Sequence, residues 1–203
     1  MQRADYDVLY SQRRMFVTDP LTGTANRCFL IKHLPRELER SRRYNHPLAI
    51  ISCDIDYFKR INDSFGHDAG DEVLQALVAR SRTCIRQAID WIARSCGEEF
   101  VFVLPETSLN GASRIAYRLR KVLSGEPMST CAGELAITVS IGVTALETAQ
   151  ELKKVSAAEL LRTVDRCLYA SKRLGGDRAT AASADDIGTV MPEVYRRAHS
   201  EIH

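Results

Sequence analysis

The run PLAIISCDID, residues 47–56, constrains this chain more than any other stretch. It is apolar without alternation until Asp54 and Asp56, the pattern of a strand buried inside a sheet. Such a strand delivers carboxylates at its C-terminal end. A second stretch, RSCGEEF at residues 94–100, sets Glu98 and Glu99 directly after a glycine, between DWIA and FVFVLP. Both flanks read as strand, so DWIARSCGEEFVFVLP is a hairpin with two acids at its tip. Adjacent like charges at a tight turn repel each other and contribute nothing to folding, so the pair points to something held there.

The other elements follow from periodicity and turn chemistry. TDPLTGTANR (18–27) is turn sequence, with Asn26 placed to cap a helix over residues 27–44. Pro35 lies inside that span and predicts a kink or break. Val73, Leu74, Leu77 and Val78 share one face of a helix, and Ala112, Ile115, Ala116, Leu119 and Val122 stripe another over about 110–123. ELAITVSIGVTAL reads as one strand, and AAELLRTVDRCLYASKRLGG as a helix stopped by a glycine pair. The order β-α-β-β-α-β-α, after an opening helix, argues an α/β or α+β sandwich with helices packed on a central sheet. Residues 1–16 carry Val8, Leu9, Met15 and Phe16 at sevenfold spacing, which suits a helix pairing with a partner. Beyond about Ala179 the chain turns small and polar and is expected to fray.

Composition narrows the function classes. With 203 residues and 45% hydrophobic content the chain can bury one core. Its 28 basic and 26 acidic residues leave a net charge of +2, without the basic footprint of a nucleic-acid-coating protein. No apolar run approaches the roughly 20 residues of a membrane span, and no secretion signal opens the chain. Cys28, Cys53, Cys84, Cys96, Cys131 and Cys167 are scattered without a C-x-x-C pair, which favours reduced thiols and a cytoplasmic location over disulfides or a zinc site.

Asp54, Glu98 and Glu99 together make an oxygen-ligand cluster of the kind magnesium takes, one or two carboxylates with a backbone carbonyl and water or phosphate. Any one of them alone reads equally well as a solvated strand end; three converging on one end of a sheet favour a metal. DYFKRINDSFGHDAGD (56–71) then adds Lys59, Asn62, Asp63, His67 and Asp71 within one loop–helix segment. An amide beside a carboxylate can read a guanine edge, and a lysine near a metal can neutralise phosphate. Gly66 and Gly70 permit tight turning. A lone His67 is more often packed or solvent-facing than a ligand. On chemistry alone, a magnesium-dependent guanine nucleotide site is one reading among several.

DPLTGTANR, DIDYFKRINDSFGHDAGD, RSCGEEF, VSIGV and LYASKRLGG occur in an order and spacing that resembles the GGDEF domain of diguanylate cyclases, over roughly residues 17–180. The resemblance implies a palm-like fold, a mostly antiparallel five-stranded sheet flanked by helices. It divides the chain into an N-terminal helix or linker (1–16), a catalytic domain (17–180) and a polar tail (181–203). It implies condensation of two GTP into cyclic di-GMP and two pyrophosphates by a homodimer with one GTP per half-site. Asp54, Glu98, Glu99 and the Ile55 carbonyl would hold magnesium, or manganese in its place. Glu98 would deprotonate the attacking 3′-hydroxyl and Lys59 would stabilise phosphate charge. Asn62 and Asp71 would recognise guanine, with His67 lining the pocket and Phe58 packing beneath the nucleotide. Lys172 would reach the β- and γ-phosphates, and backbone amides after Asp56 would cradle them. An upstream sensor or receiver domain would control the activity.

Three departures qualify the resemblance. Cys96 replaces the first glycine of the signature; if the position needs positive φ, its β-carbon costs about 1–2 kcal/mol. The family's inhibitory Arg-x-x-Asp is here Gln87-Ala88-Ile89-Asp90, with an arginine only at Arg86, which predicts weak or absent feedback by the product. Four residues beyond Lys172, where relatives carry arginine, stands Gly176, with Arg178 two further on. These departures keep a second expectation open, a weak or silent domain serving as a GTP-binding or protein-interaction module. A different nucleotidyl transferase on the same palm is a third, and Asp71 argues against it.

Overall fold

The computed structural model describes residues 17–183. The expected pairing helix over 1–16 and the tail from 184 onward lie outside the described residues. Strand β2 (Leu48–Ile55) is the centre of the fold and is buried along its whole length. It pairs antiparallel with β4 (Glu99–Pro105) on one side and with β7 (Val139–Leu146) on the other. Outside these lie β3 (Trp91–Cys96), antiparallel to β4, and β8 (Arg178–Ser183), parallel to β7. The two-residue β1 (Ala25–Asn26) adds a sixth strand beside β3, giving the order β1-β3-β4-β2-β7-β8. The expected sandwich with a mostly antiparallel sheet of five substantial strands is what forms.

Because β2 is buried on both faces, its alternate residues serve two cores. Ala49, Ile51, Cys53 and Ile55 join Phe100, Phe102, Ile141 and Val143 under α3 (His67–Ser81) and α4 (Leu109–Ser124). Leu48 and Ile50 join Val101 and Val103 under α1 (Arg27–Tyr44) and α6 (Ala157–Arg173). Asp54 falls in the second set by parity, as does Glu99, so both acids face the side that α6 covers.

Helix α1 is capped as expected: the Asn26 side chain accepts from the Phe29 N–H at 2.9 Å. It runs unbroken through Pro35. The carbonyl that proline leaves unpaired belongs to Ile31, whose 52% exposure lets water take that bond. The loop–helix expected over 56–71 is two helices, α2 (Phe58–Phe65) and α3, broken at Gly66 with φ of 86°. The run ELAITVSIGVTAL is also divided. Its start forms β6 (Gly133–Leu135), a separate hairpin with β5 (Met128–Thr130), and only its end enters the main sheet. The break falls where the Asp56 N–H donates to the Thr138 carbonyl at 2.9 Å. A capping box starts the short α5 (Ala149–Lys154), and β8 continues the sheet through Ser183, where fraying was expected.

The β3–β4 hairpin settles the question about Cys96. The cysteine lies within β3, opposite Glu99, after an irregularity in register between Arg94 and Cys96. Its φ is not positive; the positive value, 48°, belongs to Gly97, the first residue of the two-residue turn. The expected strain at Cys96 is therefore absent. Cys96→Gly should change stability by no more than about 1 kcal/mol, the ordinary cost of glycine in a strand. Gly97→Ala should cost about 1–2 kcal/mol by conformation alone, since a β-carbon there meets nothing within 4 Å. Urea denaturation ranks the two, and an equal or reversed order would contradict this assignment of the turn. Gly142 gives a sharper expectation. A β-carbon on it would lie 2.3 Å from the Val164 carbonyl oxygen and 2.4 Å from the Leu168 nitrogen, where α6 crosses β7. Gly142→Ala must push the helix off the sheet, at about 3 kcal/mol. Thermal denaturation should show Tm lowered by about 6–12 °C.

Candidate active site

Strand register builds the acidic centre. Asp54 sits directly opposite Glu99 on β4 and opposite Ser140 on β7. Glu99 accepts a hydrogen bond from the Ser52 hydroxyl at 3.2 Å, two residues along the same face. Glu98 occupies the turn itself, next to Gly97. The Arg94 guanidinium braces that turn: Nε donates to the Gly97 carbonyl at 2.7 Å, while a terminal nitrogen reaches Asp19 at 3.2 Å. Asp19 also accepts from the Thr22 backbone and hydroxyl, so the loop before β1 is tied to the hairpin.

From α6, the Lys172 ammonium stands 2.7 Å from Asp54 Oδ2. Burial pushes the Asp54 carboxyl up to about 6, Lys172 opposes the shift, and repulsion from Glu98 and Glu99 adds to it. A further acid belongs to this centre and was not singled out in the sequence. Asp165 lies seven residues before Lys172, two turns earlier on the same face of α6. Burial pushes its carboxyl up to about 7, with the Glu99 charge adding and Arg27 opposing. The available signal was an acid at helical spacing from the lysine, within an otherwise amphipathic stretch.

The donors suit a hard divalent cation. The Asp54, Glu98 and Glu99 side chains and the Ile55 carbonyl are all oxygen ligands, and negative charge gathered on a buried face is what such an ion relieves. Among the described residues no three metal-binding side chains already stand at coordinating distances. The fit therefore rests on donor chemistry and shared location, as for magnesium held by few protein ligands.

Helices α2 and α3 follow directly on the acid-bearing end of β2. Tyr57, with φ of 57°, turns the chain sharply after Asp56, and no side chain caps α2. The first amides of α2 are thus open to an anion. Phe58 is buried beneath them and Lys59 is exposed. Asn62 is half-buried and lies over Gly70, where a β-carbon would come within 2.0 Å of Asn62 Oδ1. Asp71 follows Gly70 directly, so the amide and the carboxylate share one locality, as the guanine reading requires. His67 is exposed one turn before Asp71.

On the phosphate side, Gly176 explains itself. It is buried with φ of 74°, and a β-carbon would lie 2.9 Å from Asp56 Oδ2. An arginine cannot occupy this loop as it stands. Arg178 is exposed, and its Nε folds back onto the Gly176 carbonyl at 3.2 Å; among the described contacts it does not meet the acids.

The segment from Arg86 to Asp90 satisfies its own polar groups. Arg86 grips the buried Asp90 at 2.6 and 3.1 Å and also donates to the Pro105 carbonyl at 2.7 Å and to Thr107 at 2.9 Å. Gln87 turns to the Arg82 carbonyl at 3.5 Å.

A family model described as "Diguanylate cyclase, GGDEF domain" matches residues 16–178. Diguanylate cyclase DgcP of Pseudomonas aeruginosa is 41% identical over 180 residues, which are 89% of this chain and 26% of that protein. The coiled coil and GGDEF domain of DgcB from Caulobacter crescentus, solved in complex with c-di-GMP, aligns with a TM-score of 0.79 at 28% identity, covering 87% of this chain and 91% of that one. The active GGEEF domain of a diguanylate cyclase from Vibrio cholerae aligns at 0.69 with 35% identity, covering 77% and 96%. The chain spans between 26% and 39% of the length of the curated relatives it matches. With a family model spanning most of its length and the acids, hairpin and helices arranged as described, the chain belongs to the GGDEF domain family of diguanylate cyclases.

Proposed function

We propose that this domain condenses two GTP molecules into cyclic di-GMP, releasing two pyrophosphates. The observation that carries the reading is the cross-strand pair Asp54–Glu99 with Glu98 at the turn and Lys172 2.7 Å from Asp54. In support, Asn62 on α2 and Asp71 on α3 offer the chemistry of a guanine edge. Magnesium, or manganese, bound by the acids would polarise the α-phosphate and lower the pKa of the attacking hydroxyl.

The protein groups supply the rest. Asn62 and Asp71 hold the base, with His67 lining the pocket and Phe58 beneath the nucleotide. The open amides after Tyr57 and the Lys172 ammonium hold the β- and γ-phosphates. The Glu98 carboxylate takes the proton from the 3′-hydroxyl of the facing nucleotide. The O3′–Pα bond forms, the bond from Pα to the β-bridging oxygen breaks, and pyrophosphate leaves in line. Lys59 offsets charge on the phosphates as this happens. Each domain presents one nucleotide, so two copies meet face to face as a homodimer. The substrate is a cytoplasmic nucleotide, and among the described residues no helix is long and apolar enough to cross a membrane. Since the curated relatives extend well beyond the matched span, an upstream sensor or receiver domain is part of this reading.

One observation favours the second reading, a domain that binds GTP without turning it over. Gly176 replaces a phosphate-side arginine and its conformation forbids one. Incubation with GTP and magnesium, followed by chromatography of the nucleotides, separates the two. Cyclic di-GMP should form at a rate per protein that rises with protein concentration. Glu98→Ala should reduce it by about 100-fold or more, the contribution of a positioned base, and GTP binding without product in the parent domain would give the second reading. Feedback is expected to be weak, because Asp90 is already saturated by Arg86. Micromolar cyclic di-GMP should leave the initial rate essentially unchanged, in line with the lost bidentate arginine; halving of the rate or tight binding would count against that view.

A further inference from the structure

Asp56 takes no part in the chemistry above, yet it is heavily bonded at the mouth of the site. Its Oδ1 accepts from the Ser140 hydroxyl at 2.6 Å. Its Oδ2 accepts from the Thr138 hydroxyl at 2.7 Å and from the Asp177 backbone N–H at 2.9 Å. Its own N–H donates to the Thr138 carbonyl. The carboxylate therefore bridges the end of β2, the start of β7 and the loop between α6 and β8. That loop is held from its far side too, where Arg120 of α4 grips the Asp177 carboxylate at 2.9 and 2.6 Å. Gly176 packs flat on Asp56, with room for no β-carbon. Gly175 and Gly176 close the end of α6 by donating to the Lys172 and Ser171 carbonyls, each at 3.1 Å. Lys172 thus lies between a rigid helix and a loop pinned to the strand that carries Asp54.

We propose that Asp56 is a positioning residue for the phosphate end of the nucleotide: it anchors the loop after α6 to the acid-bearing end of β2 and so fixes where the Lys172 ammonium stands. The inference rests on the cyclase reading for its ligand, though not for the anchoring itself. A carboxylate accepts from all three groups at once, whereas an amide offers one acceptor atom and would reverse the bond with a hydroxyl. With an arginine excluded at position 176, this chain places its phosphate-side cation through that anchor.

Calorimetric titration with the α,β-methylene analogue of GTP and with GMP, both in magnesium, tests the proposal. Asp56→Asn should weaken the triphosphate about tenfold, one charge-assisted contact's worth, while GMP binding stays within about twofold. Arg120→Gln, which frees the loop from its other side, should act in the same direction with a smaller effect. Equal loss of both nucleotides in Asp56→Asn, or loss of neither, overturns the proposal. If Asp56→Asn does not fold, Arg120→Gln decides alone, since a merely structural role gives no selectivity for the triphosphate. Should the parent domain bind neither nucleotide, the guanine-nucleotide reading fails, and amide hydrogen exchange decides the anchor. Faster exchange over residues 174–178 in either variant then supports it, and unchanged exchange in a folded variant overturns it.

Discussion

The cross-strand pairing of Asp54 with Glu99 is the constraint on which the rest of the site depends. Two carboxylates are placed opposite one another on a buried face, where burial raises the Asp54 carboxyl and the Glu98 and Glu99 charges add to the shift. They are held there by seven paired positions of the β2–β4 register, from Leu48 with Pro105 to Asp54 with Glu99. Slipping β2 by one residue in that register would turn Asp54 into the Phe100–Phe102 core, away from Glu99, and Cys53 toward α6. The alternation of large apolar side chains on the opposite face therefore enforces the chemistry on this one. Lys172 partly offsets the repulsion, and Gly142 allows it to do so, because α6 can approach β7 closely enough to bring its lysine to Asp54 only over a residue with no side chain.

Elements whose signal is local were legible in the sequence. The β2 run, the Asn26 cap, the acidic hairpin and the amphipathic faces of α3, α4 and α6 depend on residues within one turn or one pairing, and the structure forms them where periodicity puts them. Elements decided by distant partners were not. The run ELAITVSIGVTAL carries no internal reason to break; its division comes from Asp56, more than eighty residues earlier, bonding to Thr138. Strand β8 is small and polar, and it is a strand because the exposed edge of β7 pairs with it from Ser140 to Ala145. The split between α2 and α3 was legible only as a glycine. That Gly66 breaks a helix while Gly70 continues one depends on Asn62 lying over Gly70.

The departures from the family pattern also divide along this line. Judged by sequence, Cys96 carried a conditional strain in the signature itself, should its φ be positive. In the structure it is the mildest departure, because the turn takes its positive φ from the next residue. Gly176 looked like a simple loss of charge, whereas it is a packing requirement set by Asp56. Arg86 stands beside position 87, where the sequence lacks the expected arginine. Its Nε and one terminal nitrogen are turned inward to Asp90, Pro105 and Thr107, at the start of β3 and the end of β4.

Lys172 has two claims on its single charge, and that competition gives the site its economy. The ammonium stands on Asp54 at 2.7 Å and so moderates a buried acid that burial and two neighbouring glutamates push upward. On the proposed cyclase reading, the same ammonium would shift to the terminal phosphates of a bound nucleotide, leaving Asp54 to a harder partner. A lysine serves this exchange better than an arginine, because a compact ammonium on a flexible stem can move between oxygens without surrendering a fixed bidentate geometry. The exchange works only if the backbone beneath the lysine stays still while its tip moves. Ser171 supplies part of that stillness, its hydroxyl bonded to the Ile141 carbonyl at 2.8 Å inside the core. The loop pinned on Asp56 supplies the remainder.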